Sequence, residues 1–200
     1  TVELAYNITS VADTATGPQE SGFTPATPIT VNLPANIVSG NLLLVVINFS
    51  STDAAETLDW PAGWSPLFSY QHATFFRLVG RFRRADGTEG ATITLNSDAT
   101  GRKGTAVAYR ITGHHPTLDP EAGAAVSGNN ASPNPPALNP AEWGTLGTLW
   151  IATGGLARPS TTAFFTANPA EYALSEFGND AFVRMVGRNL KAASEDPGPF

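Results

Sequence analysis

Hydrolysis of a glycosidic bond needs two carboxylates about 5–10 Å apart in a cleft. The candidates in this chain are Glu56, Asp59, Glu142, Glu171 and Glu176. Nearly all fall in expected turns or short helical pieces, and no spacing singles out a pair. His114-His115 with Asp119 and Glu121 is the one cluster with metal-ligand side chains. Adjacent histidines on an extended chain point apart, so they do not converge on one ion, and a surface loop is the expectation. Asp86 and Glu89, in Asp86-Gly87-Thr88-Glu89-Gly90, lack the acidic spacing of a calcium loop and read as turn chemistry. The sequence therefore nominates no catalytic residue, no metal ligand and no cofactor site.

Two further sets bear on binding. The indoles of Trp60-Pro61-Ala62-Gly63-Trp64 could stack on sugar rings, as aromatic platforms in carbohydrate-binding modules do; the competing expectation is that they close one end of the core. From Phe75 to Arg84 the side chains alternate. Phe76, Leu78, Gly80 and Phe82 fall on one face, and Arg77, Val79, Arg81 and Arg83 on the other. The second set could clamp an acidic glycan or a neighbouring subunit. The plainer reading is a solvated outer face paired with nearby carboxylates. Asn7-Ile8-Thr9, Asn48-Phe49-Ser50 and Asn130-Ala131-Ser132 fit the glycosylation pattern, but Asn48 lies at the end of a core strand, so that match reads as accidental.

The elements that must hold these residues centre on Leu42–Ile47, six apolar residues between Gly40 and a Ser/Thr/Asp cluster. A run this short reads as a strand covered on both faces. Val2 to Val11 alternates well enough for a first strand, edge or linker; Ile29 to Leu33 and Ala91 to Leu95 alternate as strands, Thr105 to Ile111 reads as another, and Asp86-Gly87 marks a hairpin. Thr14 to Pro28 reads as a loop, Asp53 to Leu58 as one helical turn, and Ala131 to Pro140, with four prolines, as an extended bridge.

The pattern then recurs. At an offset of 107 residues Gly40 meets Gly147, Leu42 meets Leu149, Pro28 meets Pro135 and Asn32 meets Asn139. Phe75-Phe76-Arg77-Leu78-Val79-Gly80-Arg81 lies over Phe182-Val183-Arg184-Met185-Val186-Gly187-Arg188, with the arginine face repeated at Arg184, Val186 and Arg188. One residue out of step, Trp60–Trp64 matches Asn168-Pro169-Ala170-Glu171-Tyr172. This reads as two diverged copies of one unit, too long for a solenoid repeat. The expectation is an all-β chain, a jelly-roll-like antiparallel sandwich with few short helical turns, forming a single domain over 1–200. Its parts are an N-terminal strand or arm (1–23), a first copy (24–112), a linker loop (113–140) and a second copy (141–200). In the second copy Phe200 stands where Ile93 stands in the first, so the last strand is expected to be missing or supplied by a neighbour.

Composition narrows the classes. The chain has 200 residues, of which 14% are charged and 42% hydrophobic, with 19 glycines and 16 prolines, enough for many turns in one all-β domain. A net charge of −6 makes a nucleic-acid backbone an unsuitable partner. There is no cysteine, which excludes disulfides and thiolate metal sites. No signal peptide, transmembrane run or lipidation motif stands out. The start at Thr1 without Met reads as processed or cut.

Val31-Asn32-Leu33-Pro34, Gly40-Asn41-Leu42-Leu43-Leu44, Trp60-Pro61-Ala62-Gly63-Trp64, Arg84-Ala85-Asp86-Gly87-Thr88-Glu89-Gly90-Ala91-Thr92-Ile93-Thr94, Ala108-Tyr109-Arg110-Ile111, Asn134-Pro135-Pro136 and Thr148-Leu149-Trp150-Ile151-Ala152 occur in this order. Over roughly residues 25–200 the chain resembles a family of β-sandwich domains of tailed-bacteriophage and gene-transfer-agent virion proteins, which serve as minor structural, spike or decoration components. In that family a further strand commonly follows the Asp-Pro-Gly segment, and it is absent here. The resemblance implies a non-enzymatic role on the virion surface: capsid decoration, head spike or fibre, or a tail-associated piece. The implied partners are other virion proteins or copies of itself, in an oligomer, with host attachment through cell-surface glycan, and without nucleic acid or membrane insertion. It carries over no catalytic residues. The alternative expectation is a subunit of an extracellular filament or adhesin joined by donated β-strands.

Overall fold

The computed structural model describes residues 2–7, 19–23, 28–50, 58–72, 76–97, 104–126, 135–141, 143–156, 173–177 and 182–196. Among them are thirteen strands and no helix. In chain order these are β1 (Val2–Asn7), β2 (Gln19–Phe23), β3 (Ile29–Asn32), β4 (Leu42–Ser50), β5 (Leu58–Asp59), β6 (Ser65–His72) and β7 (Phe76–Arg84). They continue with β8 (Thr92–Ser97), β9 (Gly104–Ile111), β10 (Glu121–Ala122), β11 (Leu146–Leu156), β12 (Ala173–Phe177) and β13 (Phe182–Ala192). The helical turn expected over Asp53 to Leu58 ends in strand β5 at Leu58, and its other residues lie outside the described ones. The loop expected at 14–28 is corrected by strand β2 within it, which pairs with β9; residues 14–18 and 24–27 lie outside the described ones, as do 131–134 of the expected bridge.

The strands build three antiparallel sheets. The middle sheet has the order β2-β9-β4-β7-β6, the outer sheet β10-β1-β11-β13-β12, and a small covering sheet β3-β8-β5. The antiparallel β-sandwich expected from the sequence is present, with one layer more than two stacked halves supply.

β4 explains the layering. Its even-numbered residues Leu42, Leu44 and Val46 share a cluster with Leu78, Phe82, Val107 and Ile111 of the middle sheet and with Leu149, Ile151, Val183 and Met185 of the outer sheet. Its odd-numbered residues Leu43, Val45, Ile47 and Phe49 share a second cluster with Ile29, Val31, Ile93, Leu95 and Leu58 of the covering sheet. Side chains alternate across a strand, so a continuous apolar run fits only where both faces are covered. Leu42 through Ile47 are at most 1% exposed, as the six-residue run requires. Full burial is worth about 1.5–3 kcal/mol gross for each such side chain.

The covering sheet has a different pattern because only one of its faces is closed. β3 alternates buried and exposed, with Ile29 and Val31 inward and Thr30 and Asn32 outward. The loop from β3 to β4 is pinned at its base, where Gly40 N donates to Ala85 O at 2.9 Å and Ala85 N to Asn41 O at 2.8 Å. Asn36 and Gly40 take positive φ angles of 60° and 88° there, as tight turns demand of Asn and Gly. On the other flank, β6 loses step with β7 at a bulge between Pro66 and Phe68.

The expected gap beside Ala181–Lys191 is absent. β13 is paired with β11 along one edge and with β12 along the other. The next seat, beside β11, holds β1, paired from Val2↔Thr153 to Asn7↔Thr148. The chain's own first strand thus takes, beside β11, the position that β9 takes beside β4.

Candidate functional site

The densest group of chemistry-bearing side chains lies where the middle sheet meets the Trp60–Trp64 loop. Period-two alternation puts Arg77, Val79, Arg81 and Arg83 of β7 on the face toward the covering sheet. That face is largely covered, with Arg81 and Arg83 only partly buried. Val79 is fully buried and Arg77 is 5% exposed, with its Nη1 donating to Ser69 Oγ at 2.8 Å. The reading of these arginines as an outer, water-facing row is corrected by the covering sheet, which a count of two layers does not anticipate.

Trp64 belongs to the core cluster beneath the covering sheet, and Trp60 packs against its margin. Their ring centroids are 5.7 Å apart with a tilt of 45°, and the Arg81 guanidinium lies 5.3 Å from the centre of the Trp60 ring. A cation over an indole uses the face that a sugar would need. The core-closing reading of the two tryptophans is the one that the packing matches.

Arg83 holds the loop and the following turn together. Its Nη1 donates to Ala62 O at 2.8 Å, its Nη2 to Asp86 Oδ2 at 2.7 Å and its Nε to Glu89 Oε1 at 3.1 Å. Glu89 also accepts the backbone N–H of Asp86 at 2.7 Å and of Gly87 at 3.0 Å. Burial pushes the Glu89 carboxyl up, but these backbone donors outweigh burial and hold it below its ordinary value. Asp86 is lowered chiefly by Thr88, whose hydroxyl and backbone N–H both donate to Oδ1, and then by Arg83. Asp86 and Glu89 are committed to closing a turn, as the sequence suggested.

At the far end of β7, Arg84 points to the opposite face and reaches into the 115–119 segment. It donates to His115 O at 2.9 Å, Leu118 O at 2.7 Å and Asp119 Oδ1 at 3.0 Å. His115 Nδ1 in turn accepts the backbone N–H of Leu118 at 3.0 Å, so its lone pair is already engaged. His114 is half-buried, and its pKa is lowered first by burial and then by the charges of Arg84 and His115. Glu121 accepts Ala141 N–H at 3.2 Å. Among the described residues no group of three His, Cys, Asp or Glu side chains could hold a metal ion.

Of the five carboxylates raised for hydrolysis, Glu56, Glu142 and Glu171 lie outside the described residues and only the backbone of Glu176 is described, in β12. Asp59 is exposed, on the short strand β5, paired with Asn96. Asn48 is wholly buried, with its carboxamide against Gly155 of the outer sheet, so the tripeptide it begins cannot carry a glycan in the folded chain. Sequence reading did not find Arg84, nor the pairing of Arg188 with the buried Glu195. The signal for Arg84 was its parity: it falls one residue past the arginine row and so on the other face. Comparison with protein-family models, with curated proteins and with solved structures finds no match.

Proposed function

We propose that this chain is a non-enzymatic structural component of a bacteriophage-like particle, placed at the virion surface and acting in assembly. The observation that carries the reading is the use to which the motif residues are put. Val31, Leu33, Leu42–Leu44, Trp64, Ile93, Ala108, Ile111 and Leu149–Ala152 are all buried in the two cores. Arg83, Arg84, Asp86 and Glu89 tie loops to β7. The segments that resemble virion sandwich domains are therefore those that set the architecture. The groups raised for glycan contact are largely engaged within the chain: Arg81 lies over Trp60, Trp64 and Arg77 are buried, and Arg83 is paired with Asp86 and Glu89.

The test is to locate the chain in its native setting. Immunogold labelling of particles from a producing culture, followed by reconstruction of the labelled particle, is expected to place it on a capsid or tail. Label that follows only cell-wall filaments, with none on particles, overturns the reading in favour of a filament or adhesin subunit.

A further inference from the structure

The chain has three histidines, and two of them stand together on the segment that joins β9 to β10. The third, His72, ends β6 and pairs with Phe76, at the far end of β7 from Arg84. His115 is used in a way open only to an unprotonated ring nitrogen. Its Nδ1 accepts the backbone N–H of Leu118 at 3.0 Å and that of Thr117 at 3.3 Å, and the Thr117 hydroxyl stands 3.3 Å from it. The ring closes the 115–118 turn much as an Asn or Asp side chain closes an Asx turn. A nitrogen that accepts carries no proton, so the ring hydrogen is assigned to Nε2.

The turn closed in this way is what Arg84 grips. Its acceptors are two carbonyls of the turn, His115 O and Leu118 O, and the Asp119 carboxylate beyond it. Leu118 packs against the core shared by the middle and outer sheets. Three residues later β10 pairs with β1, and the Glu121 carboxylate holds Ala141 N–H. The segment is thus fastened by the imidazole cap, by the guanidinium and by β10. Of these only the cap rests on a side chain of the type that changes charge between about pH 5 and 8.

The charges around the ring do not replace the cap. Arg84 approaches from β7, and His114, Asp119 and Glu121 lie on the segment itself. Asp119 is engaged by Arg84, and Glu121 by Ala141. From β4 and β9 this face presents Leu42, Tyr109 and Ile111, and Arg110 falls on the opposite face by alternation. Tyr70 and His72 of β6 pair with Leu78 and Phe76, away from the Arg84 end. Burial, and then the charges of Arg84 and His115, hold His114 below its ordinary value, which is the same positive field felt one residue away. A proton on His115 Nδ1 would face two N–H donors. The Thr117 oxygen can turn to accept it, but the Leu118 and Thr117 N–H groups then lose their acceptor.

We propose that His115 is an acid-sensitive latch: taking up a proton at Nδ1 opens the 115–118 turn, loosens the grip of Arg84 and frees the segment leading to β10, while the two cores stay folded. The latch is closed at neutral pH and open at mildly acid pH. It is a property of the chain itself and does not depend on the setting proposed above.

The test is amide hydrogen exchange on the purified chain, followed at residues 113–122 and 42–47 and corrected for the intrinsic effect of pH on exchange. Between about pH 7.5 and about pH 5, protection of Thr117 and Leu118 should fall about ten-fold, the worth of roughly one hydrogen bond, with Leu42–Ile47 unchanged. His115→Asn keeps an acceptor in this place and does not titrate, so its turn should stay protected throughout. His114→Asn should keep the step. A step that persists in His115→Asn or vanishes in His114→Asn overturns the proposal, as does an unsubstituted chain without one. Should a variant fail to fold, the ring nitrogen shifts of the unsubstituted chain decide. An unprotonated Nδ1 at neutral pH, with the Leu118 amide shift moving at the same midpoint as the ring, supports the latch. A proton on Nδ1 at neutral pH, or a Leu118 amide indifferent to the ring's titration, overturns it.

Discussion

The middle and outer sheets match over three strands, β4-β7-β6 and β11-β13-β12, and differ in how they are closed. β4 lies between two layers of sheet, and every residue from Leu42 to Phe49 is buried. β11 buries Leu149 and Ile151 against the middle sheet, and its alternate residue Trp150 points away yet is 1% exposed. No strand of the covering sheet reaches Trp150. The segment carrying Leu138 and Trp143 joins the same cluster instead, and Trp150 Nε1 donates to Leu190 O at 3.3 Å. The middle sheet is thus closed by regular structure, and the outer sheet partly by irregular chain. At the 107-residue offset β11 also carries a buried threonine at 153 and a glycine at 154 where β4 carries Val46 and Ile47. The contrast predicts that truncation in the middle sheet costs more than truncation in the outer one.

The largest effect expected from this contrast is on core truncation. Ile47→Ala should cost about 3–5 kcal/mol and Ile151→Ala about 2 kcal/mol, read from denaturant midpoints. Equal losses would break the comparison. Next come two glycines at matching positions on β7 and β13. A methyl group at Gly80 would sit 2.2 Å from the Phe68 ring, whereas at Gly187 it would meet Trp150 O at 3.2 Å. Gly80→Ala should cost about 2–3 kcal/mol and Gly187→Ala about 1 kcal/mol or less, checked by thermal melts. A third pair contrasts ion pairs. Glu195 is buried beside Arg188, so Glu195→Gln should cost about 2 kcal/mol. Asp119, largely exposed beside Arg84, should lose under about 1 kcal/mol on change to Asn.

The smallest effect is on acid stability. The folded chain disfavours charge on His114, whereas the unfolded chain takes up a proton near its ordinary value of 6.5. The unfolded state then holds more protons below that value, so stability from this group is full above about pH 6.5 and declines as pH falls. Asp86 and Glu89 are lowered, so their contribution is present above their ordinary values and is lost at still lower pH, through their folded values. His114→Asn should flatten the first decline and leave the second, in chemical denaturation run from pH 7.5 to 3.

Several of these features were legible in the residues. Six unbroken apolar positions between turn residues, too few for a buried helix, read as a strand covered twice, and Leu42–Ile47 is one. The alternation at Phe76 to Arg83 also sorted its side chains onto the correct faces, because period two is fixed by covalent geometry. The covering layer was not legible: β3 and β8 alternate as they would at the edge of any sandwich, and alternation does not say which sheet lies opposite. The 107-residue offset also has a limit. It carries the pair Leu42↔Arg84 to Leu149 and Lys191, but Leu149 pairs with Asn189, two residues away. A slide by two keeps each side chain on its face, so hydrophobic pattern alone is blind to it. Arg84 and Glu195 were overlooked because their partners lie far away in sequence or on irregular chain, where no period applies.

The bulge at Pro66 has a consequence for crowding. Among the described residues β6 is the outermost strand on its side of the middle sheet, and a passing extended peptide would need an unbroken ladder of N–H and C=O groups to dock there. Proline supplies no N–H, and the irregularity between Pro66 and Phe68 twists what remains out of line. Pro66 and the bulge thus work against templated strand addition along this flank.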